Sequence, residues 1–233
     1  MPELPEVETV RKGLENLLKD FHIKRIEVLK ERSIGCTNGS RSFINNIEDS
    51  YLGNWNRRGK YLIGSLHETS NNFKGYLVVH LRMTGQFKII DKLTLPCPHT
   101  RVRFFEEGLR ELRFVDIRNF GQMWYVPSNK SVEEIVTGIN RLGPEPFSDD
   151  FNSTYLKNFL KNRTRSIKSS LLDQRTVAGI GNIYADESLF DAGIHPKTIS
   201  KNLKKNDLKR LCNSIVKILK ISIGEGGTTF SDF

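Results

Sequence analysis

GYLVVHLRMTGQFKII (residues 75–90) is rich in β-forming residues in short alternating or clustered runs, the pattern of a strand with one face turned to a core. Similar runs flank it: His22 to Leu29, Lys60 to Leu66, Arg101 to Phe105 and Leu112 to Val126, separated by polar turns such as Glu106-Glu107-Gly108. Ahead of them, Val7, Val10, Leu14, Leu17, Leu18 and Phe21 recur at three- and four-residue steps, which predicts one long helix from Pro5 to Lys19 with Pro5 in its first turn. Five or more strands with a single long helix predict an antiparallel β-sandwich or barrel and exclude alternating βαβ units. After Pro127 the pattern turns helical. Helices are expected over Ser131 to Leu142, Thr154 to Asn162 (capped by Ser153) and Asn182 to Ala192, with a longer one capped by Asn206 and built on Leu208, Leu211, Ile215, Ile218 and Leu219. The expected fold is therefore α+β, with a sandwich domain over 1–127 and an all-helical domain over 128–233.

At 233 residues with 37% hydrophobic residues, the chain can bury a substantial core. Glu3, Glu6 and Glu8 exclude a signal peptide reading, and no apolar run approaches the roughly 20 residues of a membrane span, so a cytoplasmic protein is expected. Cys36, Cys97 and Cys212 form no C-x-x-C pair. The net charge of +9 is concentrated: Thr154 to Lys220 carries 14 Lys and Arg against 5 Asp and Glu, out of 36 and 27 in the whole chain. Such a field suits a polyanion, whose phosphates release counterions when neutralised; a solvated lysine-rich face explains it equally simply.

The opening Met1-Pro2-Glu3-Leu4-Pro5-Glu6 admits two readings. Proline and glutamate both favour a helix start. Alternatively, removal of Met1 would leave Pro2 with a terminal secondary amine, and an α-amino group, with a pKa of about 8 against about 10.4 for lysine, is far more often unprotonated and nucleophilic at neutral pH. Glu3 beside it can give or take a proton.

MPELPEVETVRKGL (1–14), RRGKYL (57–62), HLRMTGQF (80–87), DIRNFG (116–121), LLDQRTVAGIGNIYADE (171–187) and GGTTFSDF (226–233) together resemble the formamidopyrimidine-DNA glycosylase family, in family order over the whole chain. Leu4 leans the resemblance toward the oxidised-purine branch and away from the endonuclease VIII branch. What the resemblance implies is a base-excision repair enzyme, both glycosylase and lyase, acting on damaged double-stranded DNA. The Pro2 amine attacks C1′ of the damaged nucleotide, the base departs, a Schiff base forms, and elimination cuts the strand. Glu3 would assist sugar opening, Glu6 would support the site or the lesion contact, and Lys60 would donate a proton during elimination. Read alone, Lys60 is an ordinary strand-end lysine.

An enzyme acting on C1′ extrudes the nucleotide and leaves a void in the duplex. By resemblance, Met83, Phe120 and Arg118 fill it; read alone, the first two are core residues and the third a surface charge. His99 matches a DNA-contacting position. Asn182 opens a helix whose N-terminus offers N–H groups and positive dipole to phosphate, in a region resembling the helix-two-turn-helix element. Arg163, Arg165 and Lys168 would extend the backbone clamp. Glu187 and the stretch holding Thr228 and Thr229 resemble the lesion pocket and its loop, with a flexible tail as the plain alternative. Family members ordinarily continue into a zinc hairpin with four cysteines and a DNA-contacting arginine; this sequence has neither, so no cofactor and weaker DNA binding are expected, as is a monomer. Competing readings are a catalytically weak binder of damaged DNA, an oxidised-pyrimidine glycosylase and a general RNA-binding protein. Covalent trapping by borohydride separates the first from an enzyme, lesion preference the second, and equal affinity for intact RNA the third.

Overall fold

The computed structural model describes residues 1–19, 21–69 and 72–227. Its first helix, α1 (Leu4–Leu17), starts at a reach-back contact in which Glu6 Oε2 accepts the Glu3 N–H at 2.9 Å. Leu4, Val7, Val10 and Leu14 are buried along its length.

The strands are β1 (His22–Ile23), β2 (Arg25–Val28), β3 (Ser50–Arg58), β4 (Tyr61–Thr69), β5 (Asn72–His80), β6 (Gly85–Ile90), β7 (Thr100–Phe105), β8 (Glu111–Asp116) and β9 (Gln122–Pro127). They form two antiparallel sheets, ordered β1-β3-β4-β5-β9 and β2-β7-β8-β6. Leu52, Leu62 and Leu77 of the first share one buried core with Val102, Phe104 and Phe114 of the second, and Trp55 meets Phe87 edge-on across it. Each such side chain contributes roughly 1.5–3 kcal/mol by leaving water. The expected sandwich is present.

Its details differ from the sequence expectation. The runs 75–90 and 112–126 each divide into two strands, joined by the segments 81–84 and 117–121. Arg82 (φ 56°) and Asn119 (φ 55°) adopt left-handed backbone there, through which no strand continues. The run 22–29 also divides, at Lys24. Strand β3 and helix α2 (Gly39–Ile47) were not anticipated. In β3, glycine, asparagine and arginine obscure the buried positions Ser50, Leu52 and Trp55.

Beyond β9 the elements are α3 (Val132–Ile135), α4 (Thr137–Asn140), α5 (Ser153–Leu160), α6 (Ile167–Leu172), α7 (Asn182–Asp191) and α8 (Lys205–Gly224). The single helix expected over 131–142 is two short ones, interrupted at Val136 (φ −102°, ψ 76°). Helix α5 is capped by Asn152 and not by Ser153: Asn152 Oδ1 accepts the N–H groups of Thr154 and Tyr155 at 3.1 and 2.9 Å. Helix α8 starts ahead of Asn206, with Asp207 Oδ2 accepting the Lys204 N–H at 2.9 Å.

Leu156, Leu160, Ile167, Leu171, Tyr184, Leu211 and Ile215 form the helical core, and Leu4 of α1 is buried among them. The chain start is thereby built into the second half of the molecule. A second tie is ionic. Glu145 accepts from Arg57 at 2.7 Å, from Arg58 at 2.9 Å and from the Gly59 N–H at 2.6 Å, fixing the turn between β3 and β4.

Candidate active site and nucleic-acid interface

A cavity of about 720 Å³ lies where these two halves meet, lined among others by Met1, Lys60, His80, Met83, Phe120 and Asn182. Residues distant in sequence converge here because Leu4 anchors the chain start in the helical core while β4 and β5 begin and end at the same level. Pro2 is buried, and Met1 before it is 45% exposed and forms part of the cavity wall.

Glu3 is buried, and its carboxylate caps a helix other than its own. Its oxygens accept the N–H groups of Gly181 at 2.7 Å, Ile183 at 3.0 Å and Tyr184 at 3.3 Å, all at the start of α7. The positive end of the α7 dipole reinforces these bonds. The Gly179-Ile180-Gly181 turn permits the approach: a Cβ on Gly181 would lie 2.3 Å from Glu3 Cδ, and one on Gly179 (φ 89°) would lie 2.6 Å from Leu4 Cδ1. This alters the expectation for Asn182. The N–H groups of Gly181, Ile183 and Tyr184 are engaged by Glu3, so Asn182 meets the cavity as an exposed side chain at the helix start. Glu6, fully buried, accepts from the Tyr184 hydroxyl at 2.6 Å as well as from the Glu3 N–H.

Lys60 is 6% exposed, just after the turn that Glu145 holds. Burial pulls its ammonium below the ordinary lysine range, opposed by attraction to Glu3 and Glu6. His80, which the sequence reading did not single out, ends β5 in the same wall. Burial first, then the positive charges of Arg82 and Lys60, push its pKa down to about 3. Its Nδ1 accepts the Arg82 N–H at 2.9 Å, so the neutral ring carries its proton on Nε2. Its place beside Met83 in HLRMTG was the available signal. Nothing in the local sequence marked Tyr184, whose part comes from its contact with Glu6.

Met83 and Phe120 are 37% and 39% exposed, on the two segments that interrupt the strand runs. Phe120 lies beneath two guanidinium groups, those of Arg118 at 5.2 Å and Arg32 at 5.4 Å. His99 is exposed in the loop before β7, and its carbonyl accepts the Asp116 N–H at 2.9 Å. Arg163 stacks on Phe159 at 4.8 Å. Arg165 and Lys168 are engaged internally, with Asp173 at 2.6 Å and Asp186 at 2.8 Å. Glu187 is exposed on α7 and does not line the cavity. Thr228 and Thr229 lie outside the described residues; just before them, the Gly226 carbonyl accepts from Thr9 Oγ1 at 3.1 Å.

The zinc implied by the family resemblance finds no fit among the described residues. No group of three or more His, Cys, Asp or Glu is placed to hold a metal ion there, and half-buried Cys36, exposed Cys97 and buried Cys212 belong to separate parts of the fold. No described helix is long and apolar enough to cross a membrane.

Known proteins resemble this chain along its whole length. The family model for the formamidopyrimidine-DNA glycosylase N-terminal domain matches residues 1–123, and that for the H2TH domain of the same enzymes matches residues 142–233. A formamidopyrimidine-DNA glycosylase of Prochlorococcus marinus strain NATL1A is 76% identical over 233 residues, covering 100% of this chain and 83% of the relative. That of strain MIT 9211 is 60% identical with the same coverage. Among solved structures, MutM in complex with DNA containing carbocyclic 8-oxo-G superposes with a TM-score of 0.89 at 31% identity, covering 98% of this chain and 82% of MutM. The Lactococcus lactis enzyme variant G226P bound to Fapy-dG DNA also gives 0.89 at 31% identity, covering 100% and 82%.

Proposed function

From the premise that this chain belongs to the formamidopyrimidine-DNA glycosylase family, a family of DNA glycosylases with AP lyase activity, we propose that it removes oxidised purines, 8-oxoguanine and formamidopyrimidines, from double-stranded DNA through an imine on Pro2. The observation that carries this reading is the single cavity walled by the chain start, Lys60, His80, Met83, Phe120 and Asn182. Once Met1 is removed, the Pro2 nitrogen becomes a free secondary amine at that wall. It attacks C1′ of an extruded nucleotide; the damaged base departs with a proton, and opening of the sugar ring leaves the Pro2 iminium. Glu3, anchored to α7, is the nearest carboxylate in sequence to the amine and assists ring opening. Loss of a C2′ proton to water then expels the 3′ phosphate, and Lys60, buried and with a weakened hold on its proton, donates that proton to the departing phosphate oxygen.

In this reading residues 1–127 carry the chemistry and residues 128–233 grip the DNA, as a monomer. Asn182 and His99 bind phosphate, and neutral His80 offers its Nε2–H to the same backbone. Arg163 extends the clamp; Arg165 and Lys168 join it only by leaving Asp173 and Asp186. Met83, Arg118 and Phe120 enter the duplex where the nucleotide has left. Glu6, buried and bonded to the Glu3 N–H and the Tyr184 hydroxyl, supports the site from behind, with Glu187, Thr228 and Thr229 as candidates for the lesion pocket. The choice of purine lesions is supported by the DNA bound to the two similar solved proteins, 8-oxo-G in MutM and Fapy-dG in the Lactococcus lactis enzyme.

The test is borohydride trapping on an 8-oxoguanine duplex, with the intact mass of the protein measured beforehand to establish that Met1 is gone. A covalent adduct that disappears in Pro2→Gly is expected. An adduct undiminished in that variant would make another amine the nucleophile, and faster release of oxidised pyrimidines on matched duplexes would overturn the purine assignment.

A further inference from the structure

Met83 lies on the 81–84 turn between β5 and β6, whereas Arg118 and Phe120 lie on the segment between β8 and β9. The two segments meet at one buried residue. Strands β6 and β8 pair with Gly85 opposite Asp116, and Asp116 is fully buried at that end of the sheet. One of its carboxylate oxygens accepts a short hydrogen bond from the Thr84 hydroxyl, and the other accepts the Gly121 N–H at 2.7 Å. The Thr84 oxygen in turn accepts the Arg118 N–H at 3.0 Å. The main chain of Asp116 extends the connection, since its N–H bonds to the His99 carbonyl at 2.9 Å and its carbonyl accepts Arg101 Nε at 2.7 Å.

We propose that Asp116 and Thr84 form a two-loop latch that holds Met83 and the Arg118–Phe120 segment in one fixed relation, so that the three side chains enter the duplex as a preformed wedge. The proposal rests on the reading of those residues as the ones that fill the space left by the extruded nucleotide. Core packing alone does not fix them, because Met83 and Phe120 stand 37% and 39% exposed and the ring contacts of Phe120 are with the guanidinium groups of Arg118 and Arg32. The neighbouring backbone is sharply turned. Arg82 and Asn119, each next to a wedge residue, occupy left-handed conformations, a common one for asparagine and an uncommon one for arginine, so the turn at Arg82 in particular depends on the bonds around it. The bonds to Asp116 and Thr84 close both segments around those positions. Without them, the two loops would have to be ordered at the moment of DNA penetration, and that loss of conformational freedom would fall on the extrusion step. Asp116 and Thr84 are thus positioning residues that act through Met83, Arg118 and Phe120 and touch no reacting atom.

The test compares two DNAs that differ in whether extrusion is needed. An 8-oxoguanine duplex requires the wedge. A single strand with an abasic site presents its sugar without it, and borohydride trapping reports the imine directly. Thr84→Val removes the hydroxyl and keeps the branched shape; its single-turnover excision rate on the duplex is expected to fall roughly 10- to 100-fold, while trapping on the abasic single strand changes less than about twofold. Thr84→Ser restores the hydroxyl and is expected to return the duplex rate to within about threefold of the parent. Asp116→Asn should follow Thr84→Val, and should that variant fold poorly, the valine and serine pair still decides the matter. Equal losses on both DNAs, an unchanged duplex rate in Thr84→Val, or no rescue by serine would overturn the latch while leaving the Pro2 chemistry intact. Absence of trapping by the parent protein on both DNAs would overturn the glycosylase reading, and the latch with it.

Discussion

Glu3→Gln keeps the shape of the side chain and removes one acceptor from the junction between the chain start and α7. Oε2 of Glu3 receives Gly181 and Tyr184 N–H, and Oε1 receives Ile183 N–H. A glutamine amide retains the first pair by placing its oxygen at the Oε2 position, but its NH₂ then faces the Ile183 N–H, so one bond is lost outright. The two remaining bonds become neutral, about half as strong as their charge-assisted counterparts. A lost bond that strands a donor costs about 1–3 kcal/mol, and the weakening adds about 1 kcal/mol, giving a total near 3 kcal/mol. For a chain of this size, with about 2–4 °C lost per kcal/mol, thermal unfolding followed by circular dichroism should shift down by roughly 6–12 °C. This runs against the usual outcome, in which neutralising a buried carboxylate at an active site relieves strain and raises stability. A melting temperature within about 2 °C of the parent, or above it, would refute the assignment of Glu3 as the cap of α7. Trapping of abasic DNA, measured on the same samples, separates the loss of the carboxylate's chemistry from loss of fold.

Gly181→Ala should reproduce part of that effect from the other side, because its Cβ would lie 2.3 Å from Glu3 Cδ; destabilisation of about 2 kcal/mol and at least a tenfold loss of trapping are expected, and a fully active, stable variant would contradict the geometry. His80 binds a proton only near pH 3 when folded but near its ordinary value of 6.5 when unfolded, so it destabilises the folded chain progressively as pH falls from 6.5 toward 3. At pH 5 this amounts to roughly 2 kcal/mol. Urea midpoints of His80→Gln should therefore lose less than those of the parent between pH 7 and pH 5, and parallel losses would contradict the shift. Glu145→Ala removes the shared carboxylate of Arg57 and Arg58, but Arg57 keeps Glu8 and Arg58 keeps the carbonyls of Leu142 and Gly143; a cost of about 1–3 kcal/mol in urea unfolding is expected, and no measurable cost would show that these remaining partners carry the turn without it.

Local pattern carried much of this protein. The periodicity of Val7, Val10 and Leu14 is enough to place α1, and the alternating runs are enough to divide a β-rich first half from a helical second half, because burial on one face imposes a period that a short window reveals. Strand β3 escaped because its buried Leu52 and Trp55 are interleaved with Gly53, Asn54 and Asn56 and interrupted by an irregular register against β4. The breaks at 81–84 and 117–121 escaped for a different reason. Met83 and Phe120 are apolar, so period and composition continue through them, and only left-handed backbone at Arg82 and Asn119 ends the strands.

By itself the sequence determined the fold class and offered Pro2 as a nucleophile, which depend on residue type and short-range order, and through the family resemblance of its motifs it implied parts for Glu3, Lys60, Met83, Arg118, Phe120 and Asn182. Only the tertiary structure decided that Glu3 caps a helix 178 residues away, that His80 and Lys60 are buried in one cavity wall, and that Asp116 joins two loops. Those relations arise from how the sheets and helices pack, and a pairing between distant positions leaves no periodic trace along the chain.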